Sequence, residues 1–183
     1  MSNTDQKQQT RVNILRSAER LLRARGIAGA SVAEVMKGAR LTVGGFYAHF
    51  RSKDALIEDV LRAAMREMRA RFPKGGVQAA LERYLTVAHR DHPADGCPLP
   101  ATIGELPHES LSLRRALAEE LEGHVAAFVG PSAPARRRHQ ALGALALMVG
   151  GLALARATKG TPLSEAVLES CIQFGRAALA QSE

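Results

Sequence analysis

The stretch LTVGGFYAHF, residues 41–50, followed by RSKDAL, residues 51–56, decides the fold. The stretch contains two candidate helix-capping residues: Thr42 precedes one short apolar segment, and Ser52 precedes the next. The segment between these caps has room for about two turns of helix. The stretch therefore predicts a very short helix from Val43 to about Phe50, which leads directly into a longer one.

Upstream of this stretch, the sequence predicts two further helices. Apolar residues recur at helical spacing from about Thr10 to Arg25, and Gly26 stands where a helix-ending glycine belongs. Ser31, followed three residues later by Glu34, is a capping box that begins a second, short helix. A long helix followed by two short ones with a tight turn between them is typical of a helix-turn-helix unit. The polar residues 1–9 predict a flexible tail.

Downstream, the apolar periodicity again predicts helices only, so the predicted fold class is all-α with about nine helices. It comprises a three-helix N-terminal helix-turn-helix domain and a C-terminal helical domain for ligand binding and dimerisation. The predicted boundaries are 1–52 for the first domain with its tail, 53–72 for a linking helix that ends near Phe72-Pro73, and 73–183 for the second. Within the second domain, helices are predicted over about 77–88, 101–107, 111–129, 135–157 and from Thr161-Pro162 onward.

The excess positive charge is confined to one part of the chain. Residues 1–72 hold 14 Lys and Arg against 7 Asp and Glu, whereas residues 73–183 hold 11 of each kind, so the first segment accounts for the whole net charge of +7. A codon bias towards Arg is an alternative explanation, but it would raise the charge of both segments rather than of one. A basic domain joined to a neutral one indicates that the basic part meets a polyanion.

The sequence predicts a soluble, cytoplasmic protein without a membrane partner. The first residues, MSNTDQKQQTR, are polar and unlike a signal peptide. The longest run without charge or strong polarity, 141–155, is shorter than the roughly 18–20 residues that cross a bilayer. Two distant cysteines, Cys97 and Cys171, form neither a disulfide framework nor a metal knuckle.

The stretch that decides the fold also resembles the TetR/AcrR family of transcription regulators. The family pattern is a Tyr, one residue and His-Phe, then Ser-Lys-acid-x-Leu at the start of the next helix; here these are Tyr47, His49-Phe50 and the segment 52–56. The resemblance is close over 10–57 and rests beyond residue 72 on helix count and spacing alone. It implies a regulator without enzymatic activity or cofactor, a repressor that a small molecule releases from a pseudo-palindromic operator. One departure is Arg40, in a turn where the family usually has Gly.

The residues of the short helix also have a chemistry suited to DNA. A threonine hydroxyl and a helix N-terminus favour a phosphate, and two glycines let the backbone approach the duplex. Tyr and His can donate to phosphate oxygens, Val43 can contact a thymine methyl, and Phe46 and Phe50 are predicted to be core. The predicted DNA-binding residues are Lys37, Arg40, Thr42, Val43, Gly44, Gly45, Tyr47, His49 and Lys53.

The C-terminal domain is predicted to hold a dimer interface and a ligand pocket. The run 142–155 is apolar all the way round, which indicates a helix buried on both sides, although a core helix of a monomer is an alternative. The resemblance implies that the last two helices of two subunits form a four-helix bundle and that residues 76–129 enclose a pocket for an apolar effector. The predicted interface is Leu145, Met148, Val149, Leu152, Val167 and Phe174, and the predicted pocket is Tyr84, Cys97, Ile103, His108, Leu121 and Phe128.

Other functions stay open on the sequence alone. A DNA-binding protein of the architectural kind, without sequence preference or effector, fits the few polar side chains of the short helix. Cys97 is a candidate redox sensor, and with His108 it is the best candidate for an enzyme, but no triad, phosphate loop or metal-ligand spacing supports catalysis. A metal site is a further alternative, although its ligands are irregularly spaced: His89, Asp91, His92, Asp95 and Cys97.

Overall fold

The computed structural model describes residues 3–71 and 75–180, and the regular structure in these ranges is helical throughout. This confirms the predicted all-α class. Three short 3₁₀ helices, Val43–Ala48, Pro93–Asp95 and Leu106–His108, lie among the α-helices. The α-helices are α1 (Asn3–Gly29), α2 (Val32–Gly38), α3 (Lys53–Ala70), α4 (Gly76–Tyr84), α5 (Val87–Asp91), α6 (Leu99–Thr102), α7 (Leu111–Val129), α8 (Ala135–Ala157) and α9 (Pro162–Ala180).

Several helix bounds differ from those that the sequence predicts. α1 already begins at Asn3, so the prediction of a flexible tail is wrong for residues 3–9, where the Thr10 hydroxyl donates back to the Gln6 carbonyl at 2.9 Å. The helix predicted over 77–88 is divided at Thr86, whose hydroxyl accepts from the backbone of the α5 residue three positions on. The predicted end of α3 near 72–73 lies outside the described residues.

The chain forms two compact units, neither of which is continuous in sequence. The first unit is Met1–Arg66 with Cys97–Ala118, and the second unit is Glu67–Gly96 with Glu119–Glu183. The predicted domain boundaries assigned 97–118 to the C-terminal domain, whereas these residues pack with the N-terminal helices. The remaining boundaries stay a prediction.

Residues 97–118 belong to the first unit because Glu105 binds backbone amides at a bend in α1. α1 bends at Gly26, where φ is 72° and a Cβ would lie 2.0 Å from the Glu105 carboxylate. That carboxylate accepts from the backbone amides of Ile27 at 2.8 Å and Ala28 at 2.6 Å, while the Lys53 ammonium donates to the Ile27 carbonyl at 2.8 Å. Backbone groups that the bend leaves without helical partners are thereby satisfied.

The second unit is built on α8 and α9, with α4 and α5 packed against them. α8 approaches α9 closely at Gly151, where a Cβ would lie 2.8 Å from the Cys171 sulfur, and α9 approaches α4 closely at Gly175, where a Cβ would lie 2.8 Å from Leu81. α8 is the one helix in the described ranges that is long and apolar enough to cross a membrane. Seven of its residues are buried in this unit: Ala141, Ala144, Leu145, Met148, Gly151, Leu152 and Ala155.

Candidate nucleic-acid interface

The turn that leads into the short helix has a fixed geometry. The Ser31 hydroxyl caps α2 by accepting from the Glu34 amide at 3.2 Å, as predicted. α2 ends in a Schellman motif, in which the Leu41 amide donates to the Met36 carbonyl at 2.9 Å and Arg40 occupies the left-handed position with φ of 60°. Arg40 is the one non-glycine residue of positive φ among those described, at a cost of about 1 kcal/mol. The departure from the family pattern therefore falls on a position whose backbone does favour glycine.

The short helix Val43–Ala48 is a 3₁₀ helix with Thr42 at its N-cap. The prediction that the Thr42 hydroxyl caps this helix is wrong. In 3₁₀ geometry the Gly45 amide already donates to the Thr42 carbonyl, at 3.1 Å, so the hydroxyl makes no capping bond. The hydroxyl of this exposed residue is therefore left on the surface.

The 3₁₀ helix has one buried and one exposed side. Phe46 and Phe50 are 0% and 4% exposed and stack on each other, as the sequence predicts for core residues. The Arg11 guanidinium lies 4.6 Å from the centre of the Phe50 ring and forms an ion pair with a carboxylate of α3. On the other side, Tyr47 is 71% exposed and Val43 is 49% exposed. The buried rings fix the orientation of the exposed side.

The two glycines of this helix meet little of their own chain. A Cβ at Gly44 would have no heavy atom within 4 Å, and one at Gly45 would make ordinary contacts, the nearest at 3.8 Å to the Met36 methyl. Neither residue needs a positive φ. Packing within the chain therefore does not explain why both positions lack a side chain.

His49 and Lys53 are less available than the sequence predicts. Lys53 is half-buried and donates to the Ile27 carbonyl, so it serves the bend of α1 rather than standing as a free point charge. His49 is also half-buried, and its Nδ1 atom is buried without a hydrogen-bond partner among the described residues. Lys37, Arg40, Thr42 and Gly44 are exposed, and their contact with DNA stays a prediction.

The predicted dimer interface is wrong for three of its six residues. Leu145, Met148 and Leu152 are at most 7% exposed and belong to the core of their own unit, so they cannot meet a partner. Phe174 is 68% exposed, while Val149 and Val167 are half-buried. Leu142 and Leu154 of α8 are exposed but are not in the predicted interface, because a helix that is apolar all round gives no sign of which side faces inward. Leu163 at the start of α9 is also exposed.

The six predicted pocket residues are divided between the two units. Cys97 is buried in the first unit, where Ile103 and His108 are exposed. Tyr84, Leu121 and Phe128 are half-buried in the second unit. The predicted pocket requires residues 97–118 to pack among the C-terminal helices, whereas these residues belong to the first unit, where α6 packs on α1.

The second unit holds a polar cluster, mostly buried, that the sequence analysis did not predict. The Arg69 guanidinium lies 3.0 Å from the Glu120 carboxylate, and Nδ1 of His124 lies 2.8 Å from the Glu120 carbonyl. Glu120 is 6% exposed and His124 is 0% exposed, and burial lowers the pKa of the imidazole. The available signal was a Glu and a His four residues apart on the apolar side of α7.

The cysteines and the loop near residue 90 offer no support for a metal or redox site. The Asp91 carboxylate accepts hydrogen bonds from Arg90 and Lys159, which hold its pKa far below the ordinary range. Cys97 is buried, and burial raises the pKa of the Cys171 thiol, whereas reactive cysteines are accessible thiolates. The described part of the chain holds no group of three His, Cys, Asp or Glu residues that could bind a metal ion.

A short helix held by two buried phenylalanines, with an exposed, glycine-containing side and with the exposed cations Lys37 and Arg40 just before it, is typical of a helix-turn-helix DNA-binding regulator. The family model described as bacterial regulatory proteins, tetR family, matches residues 14–60. Residues 14–60, which span the turn and the 3₁₀ helix, are thus similar to this family of regulatory proteins. Solved structures similar to the chain include transcription regulators of the TetR family.

The solved structures extend the likeness to the whole chain. A TetR transcriptional regulator from Chloroflexus aurantiacus is 26% identical, with a TM-score of 0.72 and coverage of 97% of both chains. The reduced form of E. coli NemR is 22% identical, with a TM-score of 0.71, over 92% of this chain and 96% of that one. Bacillus subtilis FadR, solved with stearoyl-CoA, is 16% identical, with a TM-score of 0.64, over 90% and 96%. No curated protein matches the chain.

Proposed function

We propose that the protein is a cytoplasmic, homodimeric repressor that binds a pseudo-palindromic operator in double-stranded DNA and leaves it when a small molecule binds. The observation that carries this proposal is the exposed side of the 3₁₀ helix, where Tyr47 and Val43 stand over the buried Phe46 and Phe50. A rigidly supported, protruding helix of this kind suits the major groove.

The glycines support a close approach of the backbone to DNA. Glycine in a helix costs up to about 1 kcal/mol relative to alanine, and the space around Gly44 and Gly45 shows no internal reason for that cost. A phosphate or a base edge lying against the helix supplies an external reason. Lys37, Arg40, Thr42, Tyr47 and His49 would then contact phosphates, and Val43 a thymine methyl.

The homodimer is proposed to form through the outer side of α8 and α9. Phe174 borders a groove of about 310 Å³, lined also by Gly143, Leu147 and Ala178. With Leu154 and Leu163 also exposed, the pair presents an apolar face that a monomer would leave in water. A second copy offers an identical helix pair, and two-fold symmetry matches an operator with two half-sites.

Release by a small molecule is proposed from the second unit. The half-buried Arg69 and the buried Glu120 and His124 are polar groups of the kind that fix the orientation of a ligand. A ligand shifts the protein away from DNA only if it binds the DNA-free arrangement more tightly. α3 and α7 each contribute residues to both units, so they are the covalent routes for such a change.

Binding of the purified protein to a labelled fragment from just upstream of its own coding region tests the proposal. We expect the ratio of operator to random-DNA affinity to be on the order of 10³ or more at physiological salt. A ratio near one would contradict the repressor and favour the architectural alternative. Candidate effectors are then screened for release of the bound fragment, and an operator complex that no class of small molecule weakens would contradict the ligand-released part.

A further inference from the structure

The first unit contains a basic cleft that joins Arg40, one of the proposed DNA-contacting residues, to two arginines of α1 that are not among them. Arg16 and Arg20 of α1 and Arg40 of the turn line one cleft of about 230 Å³. The other lining residues are uncharged and include Asn13 and Ser17. The cleft thus gathers three guanidinium groups without a carboxylate in its wall.

These three arginines differ from others of the same unit in their partners. Arg11 pairs with Asp59, and Arg23 pairs with Glu19 at 2.8 Å. Arg16, Arg20 and Arg40 are exposed, and none of them forms an ion pair within the described ranges. Arg16 and Arg20 are also one helical turn apart, where like charges repel each other. An unpaired, mutually repelling set of cations is stabilised when an anion binds between them.

The base of the cleft is rigid. The Ser17 hydroxyl donates to the Val35 carbonyl at 2.8 Å, and a Cβ at Gly38 would lie 2.2 Å from that hydroxyl oxygen. α1 and α2 are therefore held in direct contact here. The third cation, Arg40, is kept at the rim in the left-handed conformation that glycine would adopt at lower cost.

We propose that Arg16, Arg20 and Arg40 bind a backbone phosphate of the operator, as a clamp in addition to the 3₁₀ helix. The proposal rests on the proposed function, because the anion it commits to belongs to bound DNA. Arg40 lies two residues before Thr42, so the cleft adjoins the start of the 3₁₀ helix. Guanidinium groups bind phosphate oxygens in bidentate fashion, and such contacts position a protein on DNA without reading its sequence.

The test compares two double variants of the full-length protein that lose the same charge from the same unit. Arg16→Gln with Arg20→Gln removes two cations of the clamp, and Arg114→Gln with Arg115→Gln removes two exposed cations outside it. The slope of log affinity against log salt falls by about 0.9 for each lost phosphate contact. For the first variant, we expect the salt slope to fall by about 0.9, which corresponds to one lost phosphate contact. We expect its affinity to fall about tenfold, for operator and random DNA alike. The control should keep its slope.

An unchanged slope in the first variant, or an equal fall in both, would overturn the clamp. Specific binding by the wild-type protein in the same titration tests the proposed function separately. Inorganic phosphate distinguishes the other source of the anion: if it stabilises the wild-type protein against heating while the DNA slope is insensitive to both substitutions, the cleft is a site for free phosphate and the proposal is wrong.

Arg40→Gly provides a second readout with effects of opposite sign. Relief of the left-handed strain should raise the melting temperature by about 3 °C, since about 1 kcal/mol shifts a domain of this size by a few degrees. The same substitution should lower DNA affinity and the salt slope. A variant that is more stable and binds DNA as well as the wild type would contradict a role for Arg40 in the clamp.

Discussion

The 3₁₀ helix and the outer side of α8 and α9 both expose a large aromatic residue, yet the two surfaces differ in chemistry. Tyr47 is 71% exposed and Phe174 is 68% exposed. Exposed Lys37 and Arg40 belong to the first surface, whereas the groove at Phe174 is lined mainly by glycine, alanine and leucine. Because the surroundings of the two exposed side chains differ in this way, the proposed partner of the first surface is DNA and that of the second is the same apolar face of a second copy of the chain.

The largest effect is expected from a charge placed on the apolar surface of α8 and α9, which is the proposed dimer interface. Phe174→Glu should convert the dimer to a monomer, because a buried unpaired carboxylate costs several kcal/mol. Loss of the second half-site should lower operator affinity by 100-fold or more, an order-of-magnitude expectation from two-site binding. Sedimentation and DNA binding measure the two effects.

Val87→Glu is the matched control, since Val87 is also exposed and lies in the same unit at the start of α5. It should leave the dimer intact. If both variants stay dimeric, α8 and α9 do not form the interface.

The next largest effect concerns what holds the first unit together. Glu105→Gln removes the charge that accepts from the Ile27 and Ala28 amides, so we expect a loss of about 2 kcal/mol in the free energy of unfolding. Glu109→Gln, four residues on, should change it by less than about 0.5 kcal/mol. Equal urea midpoints for the two variants would show that residues 97–118 do not brace α1.

Tyr47→Phe tests the DNA-facing surface without disturbing the core. Loss of one hydrogen bond to phosphate should weaken binding to operator and random DNA alike by about 1 kcal/mol, or roughly fivefold. The melting temperature should be unchanged because the side chain is exposed. A change in base preference would show instead that Tyr47 reads sequence.

The smallest expected effect is a pH dependence from the polar cluster of the second unit. Burial lowers the pKa of His124 in the folded state below its ordinary value of 6.5, so protons bind the unfolded chain more readily. Stability should therefore be complete above about pH 6.5 and decline as the pH falls below it. His124→Gln should flatten this decline in urea unfolding, and His139→Gln, at an exposed position of α8, should not. An equally steep decline in His124→Gln would assign it to other groups.

In the first unit, the helix-turn-helix segment could be predicted from the sequence, whereas contacts between distant residues could not. The caps at Ser31 and Ser52, the turn and the TetR pattern predicted the helix-turn-helix unit and its core Phe46 and Phe50 because each rests on local spacing. The bond from Lys53 to the Ile27 carbonyl could not be predicted, since the two residues are 26 positions apart and no local pattern shows the bond; the DNA contact of Lys53 stays a prediction.

The C-terminal half was predicted less well for a physical reason. Helix bounds depend on local signals, and those of α7 and α8 agree with the prediction. Which side of α8 is buried depends on tertiary packing, and an apolar sequence leaves both orientations open, so Leu145, Met148 and Leu152 were assigned to the interface. The packing of 97–118 on α1 depends on Glu105 and the bend at Gly26, which are far apart in sequence.

Selection of bound sequences from a random DNA library by the wild-type protein tests whether the protein binds a specific operator as a dimer. A dimeric, sequence-specific regulator should enrich two inverted half-sites whose centres are about 34–36 Å, or a multiple of this distance, apart. Enrichment should vanish with Phe174→Glu. A pool without any enriched sequence would contradict specific recognition by the 3₁₀ helix, and a single half-site that Phe174→Glu selects equally well would contradict the dimer.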